Sequence, residues 1–403
     1  MQATFFEQNR RRVANSVKGG VIVLSAYHGQ QSQNDMAHRF QQEANFWYLT
    51  GIDHPDWLLI LDAVNGDEWL VGPRIDAVHE TFDGSLSAEQ ATVASGIKRV
   101  ISKDEATPLL RKLAKKHTVA YTVDHPPHAS RFNFSMNPNI SHNKKILERT
   151  FESVIDCQKD IAKLRAIKQT PEIVAIQNAV DLTVDGFNTV KAQLDSARYE
   201  YELEAEFSYM FKRNGGWNHA YDPIIASAKN ACTLHYNANT SLLRAKKLVL
   251  MDVGARVDGY AADITRTYVK GAPSKRQIAV HAAVEAAHCD IIQLLTPGLF
   301  VEEYANLVDR RMKQALLEVG LLKSKDDDET YRTYFPHAIS HGLGIDVHDS
   351  LGGATQLQPG MVLTVEPGIY IPEEGIGIRI EDDILITDKG YKNLSGKLST
   401  GLA

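Results

Sequence analysis

Four carboxylates in two strand-like segments are the residues of this chain best suited to chemistry: Asp252 in LVLMDVG, Asp263 in YAADITRTY, Glu366 in LTVEPG and Glu381 in IRIEDD. A loop at 256–259 would set Asp252 directly opposite Asp263. A tighter turn at Asp258-Gly259 shifts that pairing by two residues and leaves both acids on one face, because side chains alternate along a strand with period two. Glu366 and Glu381 are likewise cross-strand neighbours if the second turn is centred on Glu373 and Glu374. Like charges opposed on apolar strands are destabilising unless a cation neutralises them. The flanks, LVLM before Asp252 and MVLTV before Glu366, mark buried strands, and Arg379 is the one basic residue beside the acids. Two divalent ions are the natural counter-charge for four buried carboxylates. A nitrogen donor is available in Phe335 to Asp349, which holds His337, His341 and His348 around a Gly-Leu-Gly. His337 and His341 share a face on a strand, whereas His348 has the opposite parity.

These residues need strands, and the surrounding pattern supplies them twice. Thr170-Pro171 reads as a helix start, with Thr170 as N-cap and an apolar stripe at Ile173, Ile176, Val180, Val184 and Phe187. A second helix runs from about Glu200 to Arg213, and a β-run from Lys247 to Lys270 follows, broken at Asp258-Gly259. The order then recurs: Ser274 with Gln277 forms a capping box, a helix runs to about Leu295, another from Val301 to Gly320, and a β-run spans Met361 to Thr387. The C-terminal part is therefore helix, helix, hairpin, repeated. Ahead of it, strand signals at Val21 to Ala26, Trp57 to Ala63 and Thr118 to Val123 alternate with helix signals at Phe6 to Val17 and Glu105 to His117, which reads as a small α/β domain. The Pro-, His- and Asn-rich stretch from 124 to about 160 reads as loops, and the domain boundary is placed at Cys157, giving domains 1–157 and 158–403. The fold class is α+β overall.

Composition excludes several functions. The 403 residues carry 44 Lys and Arg against 50 Asp and Glu, a net charge of −6, which disfavours nucleic acid as a partner. No apolar stretch reaches the roughly 18 to 20 residues of a membrane span, and three scattered cysteines suit a reducing, cytoplasmic setting rather than a disulfide framework.

The set Asp252, Asp263, His341, Glu366 and Glu381 resembles, in kind and order, the five metal ligands of the pita-bread metallopeptidases, the family of methionine aminopeptidase, aminopeptidase P and prolidase. NACTLHYNAN around His235, DITRTY after Asp263, HGLGIDVHD from His341, PGMVLTVEPGIY to Tyr370 and GIGIRIEDD to Asp383 are most similar to the aminopeptidase P and prolidase branch. DMAHRFQQEANFWYLTG, from Asp35 to Gly51, extends the resemblance into the first domain, which methionine aminopeptidases lack. The resemblance implies a pita-bread catalytic domain behind a creatinase/aminopeptidase P-type N-terminal domain. It implies that Asp252 chelates one ion, that Asp263 and Glu381 bridge both, and that His341 and Glu366 hold the other. Such a pair lowers the pKa of a bridging water and steadies the oxyanion formed on attack at a peptide carbonyl. Glu366 is positioned to take the water's proton. An oxygen-rich ligand set favours Mn²⁺, with Co²⁺, Fe²⁺ or Zn²⁺ as alternatives. The resemblance further places His235, His337, His348, Tyr221, Tyr370, Arg379 and Asp35 in the catalytic or substrate site, and implies homodimers or homotetramers.

The first domain departs from that pattern: Ser32-Gln33-Asn34 and Gln41 stand where aminopeptidases P usually carry arginines, and Phe46-Trp47-Tyr48 reads as domain core. Only Pro372 to Gly375 link the second hairpin, where relatives often have an excursion. The expected activity is hydrolysis of the Xaa-Pro bond at the N-terminus of small peptides. Prolidase, cutting Xaa-Pro dipeptides with the same ligands, is the runner-up, and a metal-free creatinase-like hydrolase or binding module the third reading.

Overall fold

Val21–Ser25, buried along its whole length, is an inner strand of a six-stranded mixed sheet in the first of the two units into which the chain divides, Met1–Leu164 and Arg165–Ala403. The computed structural model describes residues 1–126, 133–216 and 218–402. In that sheet Val21–Ser25 pairs antiparallel with Leu58–Asp62 and parallel with Val119–Thr122, so all three strand signals of the first domain find strands. The burial explains why they read as continuous apolar runs. Helices Ala3–Ser16 and Ala44–Thr50 meet through edge-to-face contacts of Phe6 with Trp47 and of Phe5 with Tyr48. The expected core role of Phe46 and Tyr48 holds, since both are fully buried.

The expectation of loops from 124 to 160 is corrected, although 127–132 lie outside the described residues. Helix Pro138–Glu148 starts with Asn137 as N-cap and Pro138 in its first turn, and it buries Ile140, Asn143 and Leu147 at helical spacing. Strand Ser153–Asp156 then pairs parallel with Val119–Thr122, and helix Gln158–Ala166 follows. Only three inward positions carry that first helix, too few to stand out among polar neighbours.

In the second unit the helix, helix, hairpin order appears twice. The first pair is Thr170–Gln193 and Glu200–Arg213, packed through Phe187, Phe207 and Phe211. The N-cap is Gln169 rather than Thr170, because Glu172 reaches back to the Gln169 amide and places the helix start one residue earlier. The second pair is Lys275–Leu294, with the expected capping box of Ser274 and Gln277, and Val301–Glu318. A short helix, Asp328–Tyr334, precedes the histidine segment.

The first hairpin takes the tighter of the two registers considered. Leu248–Val253 pairs with Ile264–Val269, Asp252 faces Thr265, and the tip closes on Asp258 and Gly259, whose φ values of 49° and 85° suit a two-residue turn. Near the turn the strands approach so closely that a Cβ on Gly254 would stand 1.8 Å from the Ala262 carbonyl oxygen. The second hairpin has the expected register throughout. Val362–Val365 pairs with Asp382–Thr387, and Gly368–Ile371 pairs with Ile376–Arg379 across Pro372–Gly375. The two hairpins are stitched together where Thr265 bridges Glu381, the Glu381 amide donating to the Thr265 carbonyl at 3.0 Å.

Candidate metal centre

The stitch between hairpins brings all four acids to one place. Asp252 and Asp263 share a face of the first hairpin, Glu381 faces that hairpin through Thr265, and Glu366 directly follows the strand whose last residue, Val365, pairs with Asp382 next to Glu381. Ligand atoms of Asp252, Asp263 and Glu381 lie within 4.8 Å of one another, and so do those of His341, Glu366 and Glu381. Two three-residue groups sharing Glu381 are the arrangement two neighbouring cations need. A third such group, Asp263, His341 and His348, places His348 beside the ligands as well.

The histidine segment is not a strand, and this corrects the parity argument that separated His348 from His341. The chain folds back between them, with the Asp349 amide donating to the Gly342 carbonyl at 2.8 Å, so the two imidazoles stand 4.3 Å apart. The Thr364 amide donates to the His341 carbonyl, tying this segment to the strand that leads to Glu366. The His341 Nε2 lies 3.4 Å from Asp263 and 3.6 Å from Glu366, while its Nδ1 lies 3.0 Å from the Gly342 carbonyl. The Nδ1–H therefore donates to that carbonyl, leaving the Nε2 lone pair for a metal.

The charge of this cluster is incompletely balanced by the protein. Burial pushes Asp252 up to about 6 despite the adjacent Arg379, and it pushes Glu366 up to about 7 and Glu381 well above the carboxylate range. Burial also acts to raise Asp263, but the hydrogen bond and charge of His341 outweigh it and hold that carboxyl low. His341 rises to about 9 against the effect of its own burial, because Asp263 and Glu366 favour its cation. Protons thus sit where positive charge is wanted, and divalent cations bound by these groups would displace them. The donor set, four carboxylates and one imidazole free at Nε2, fits two such ions.

Behind the ligands stands a hydrogen-bonded frame. The Tyr221 hydroxyl lies 2.5 Å from Asp252 and 2.6 Å from Asp263, its one proton shared between them, so it faces the ligand acids. Arg379, buried, donates to Asp252 at 2.5 Å, to the Tyr370 hydroxyl at 2.9 Å and to Thr265 at 3.0 Å. Its guanidinium is thus engaged with the protein's own groups. With its oxygen accepting from Arg379, Tyr370 donates to His337 Nε2 at 2.8 Å, and His337 Nδ1 donates to the Ala338 carbonyl at 2.7 Å. Burial lowers His337 to about 4, so it is held as a neutral imidazole. Two members of the frame escaped the sequence reading. Thr265 donates to Glu381 at 2.6 Å, and the Thr364 hydroxyl lies between the His341 amide and Glu366. Each is two residues from a ligand acid on the same strand face, a spacing that alternation would have flagged.

His235 lies exposed in the turn after Ala228–Cys232, and its flanking residues Leu234 and Tyr236 pack against the cluster that includes Tyr370. Asp35 is exposed in the turn of the short Gln31–Gln33 and Met36–Ala37 hairpin, in the first unit, whereas the ligand cluster is drawn from the second.

Residues 174–388 match the model of metallopeptidase family M24, and residues 6–121 match the aminopeptidase P N-terminal domain. The chain is 33% identical to the Xaa-Pro aminopeptidase of Haemophilus influenzae over 99% of its own length and 95% of that relative's. It is 33% identical to human Xaa-Pro aminopeptidase 3, over 91% and 76% of the two chains. Among solved structures, aminopeptidase P from Escherichia coli with the inhibitor Pro-Leu is similar at a TM-score of 0.88 and 28% identity, covering 100% of this chain and 96% of that one. Proline aminopeptidase P II from Yersinia pestis is similar at 0.87 and 30%, covering 100% and 98%. With the ligand set, the duplicated hairpins and the preceding domain all in agreement, the chain belongs to metallopeptidase family M24, in the branch that carries an aminopeptidase P N-terminal domain.

Proposed function

We propose that this metallopeptidase is an Xaa-Pro aminopeptidase, removing the N-terminal residue from small peptides with proline in second position. The observation that carries the reading is the convergence of Asp252, Asp263, His341, Glu366 and Glu381 on two ligand groups that share Glu381. Similarity to relatives named Xaa-Pro aminopeptidase supports that substrate class over the dipeptides of prolidase.

In this reading Asp252, Asp263 and Glu381 would hold one divalent ion and His341 with Glu366 the other. The pair supplies Lewis acidity and an activated water. Glu366, which adjoins the place such a water would occupy, would accept its proton and pass it towards the proline nitrogen. His337 is fixed by Tyr370 and Ala338, and with His348 and His235 it lines the side from which substrate approaches. Tyr221 and Arg379 orient the ligand acids. Mn²⁺ suits this oxygen-rich set, although a relative from Escherichia coli is known in zinc-substituted form. A cytoplasmic location accords with Cys157, Cys232 and Cys289 as free thiols, and a homodimer or homotetramer is the assembly proposed.

The test is hydrolysis of an Xaa-Pro-Xaa tripeptide against an Xaa-Pro dipeptide by the Mn²⁺-loaded protein, with Asp263→Ala as control. Tripeptide cleavage that Asp263→Ala abolishes is expected. Cleavage of the dipeptide alone would make the chain a prolidase, and a fully active Asp263→Ala variant would refute the metal mechanism.

A further inference from the structure

Glu200 opens the Glu200–Arg213 helix, has no exposed surface, and takes no part in the metal centre. Its carboxylate is nonetheless surrounded by donors. One oxygen accepts from the Ser227 amide at 2.7 Å, the Ser227 hydroxyl at 2.6 Å and the Asn230 side chain at 3.1 Å. The other accepts from the Tyr236 hydroxyl at 2.7 Å and the Ser241 amide at 2.8 Å. These partners span the segment from Ser227 to Ser241, which carries His235 next to Tyr236.

One helical turn later on the same face, Glu204 accepts from Asn239 at 2.9 Å. Asn239 is buried at a φ of 46°, bonds the Pro223 carbonyl at 2.8 Å and accepts from the Ile225 amide at 2.9 Å. The segment is thus held at both ends and next to its histidine by the first turns of one helix. Between these anchors Leu234 and Tyr236 pack towards Tyr370, which is bonded to His337 and Arg379.

We infer that Glu200 is a positioning residue for the peptidase reaction, its carboxylate fixing the Ser227–Ser241 segment so that His235 is presented to the substrate side of the metal centre. The inference rests on the proposed placement of His235 in the substrate site. A carboxylate is specifically required. Each oxygen meets a backbone N–H, which can only donate, so a glutamine in either amide orientation sets an NH₂ group against Ser227 or Ser241. The shape is kept while one end of the segment loses its anchor.

The experiment is a double-mutant cycle between Glu200→Gln and His235→Ala, read as kcat and KM for an Xaa-Pro-Xaa tripeptide in the Mn²⁺-loaded full chain. Metal content and melting temperature are measured alongside. Glu200→Gln is expected to lower kcat/KM about tenfold, in whichever of kcat or KM His235→Ala moves, and to cost no more than about twofold further in the His235→Ala background. Metal content should be that of the parent. Losses that multiply, or a fully active Glu200→Gln, would overturn the inference while leaving the role of His235 intact. If His235→Ala is itself fully active, the placement of His235 is wrong and the inference falls with it. Tyr236→Phe removes a single donor and keeps the fold; should Glu200→Gln not fold, it takes its place in the cycle with the same outcomes at reduced size.

Discussion

Thr265→Val tests whether the frame behind the ligands, rather than the ligands alone, sets metal affinity. The two side chains have nearly the same shape, so the change deletes a hydroxyl without opening a cavity. That hydroxyl is fully buried, donates to Glu381 at 2.6 Å and accepts from Arg379 at 3.0 Å. A hydrogen bond to a charged group contributes about 1.5 to 3 kcal/mol net. Arg379 keeps Asp252 and Tyr370, so its loss lies at the low end, and Glu381 keeps no other side-chain hydrogen bond among those described. Burial keeps Glu381 protonated in the metal-free protein, so its bond counts as a neutral one of about 1 kcal/mol, and with about 1.5 kcal/mol from Arg379 a destabilisation of about 2.5 kcal/mol is expected. Loosening a shared ligand through its supporting partner typically weakens metal binding by about 10- to 100-fold. The assay is competition for Mn²⁺ against a chelating dye, with urea unfolding of the metal-free form in parallel. Thr265→Ser keeps the hydroxyl and loses one buried methyl, so it should cost about 1 kcal/mol of stability and leave affinity close to the parent's. Parental affinity in Thr265→Val would refute the reasoning. Equal weakening in Thr265→Ser would show that packing rather than the hydroxyl matters.

Gly254→Ala should destabilise by about 3 kcal/mol, because its methyl would stand 1.8 Å from the Ala262 carbonyl oxygen; a urea midpoint within error of the parent's would contradict that. His219 is lowered by burial from 6.5 to about 4, so the folded state binds fewer protons than the unfolded state between those values. Its stabilisation is complete above pH 6.5 and is lost as pH falls through 4, at most about 3 kcal/mol, and His219→Gln should flatten urea stability against pH across that window. Removing metal with a chelator should lower the unfolding free energy by about 2.7 kcal/mol for each site that was at a hundred times its Kd, and re-addition should restore it; a melting curve indifferent to chelation would argue against native-state metal binding.

The strand architecture of the metal centre was legible because alternation is short-ranged and strict. Placing Glu366 opposite Glu381 required only a turn at Pro372 to Gly375, and the ladders on both sides keep that register. The first hairpin left two registers open, and the left-handed Asp258 and Gly259 selected the tighter one. What escaped depends on contacts distant in sequence. His348 joins His341 because a loop reverses and pairs Gly342 with Asp349, which no strand parity anticipates. Buried Arg165 and Lys168 hold Asp349 across about 180 residues, and nothing local to either segment marks the pairing. Helix Pro138–Glu148 was hidden by polar composition, its cap at Asn137 being the one clear local signal.

The stitch of Thr265 to Glu381 joins residues 116 positions apart, and buried Arg266 beside it bonds the carbonyls of Leu398 and Ser399. Synthesis therefore leaves the centre unfinished until Ser399 has been made. A nascent chain that has emerged only through the first hairpin carries Asp252 and Asp263 on one face with neither Glu381 nor His341 to complete a coordination shell. Hydrolytic competence waits for the second hairpin, so a translation product cut short ahead of Glu381 would be proteolytically silent rather than a poorly controlled peptidase.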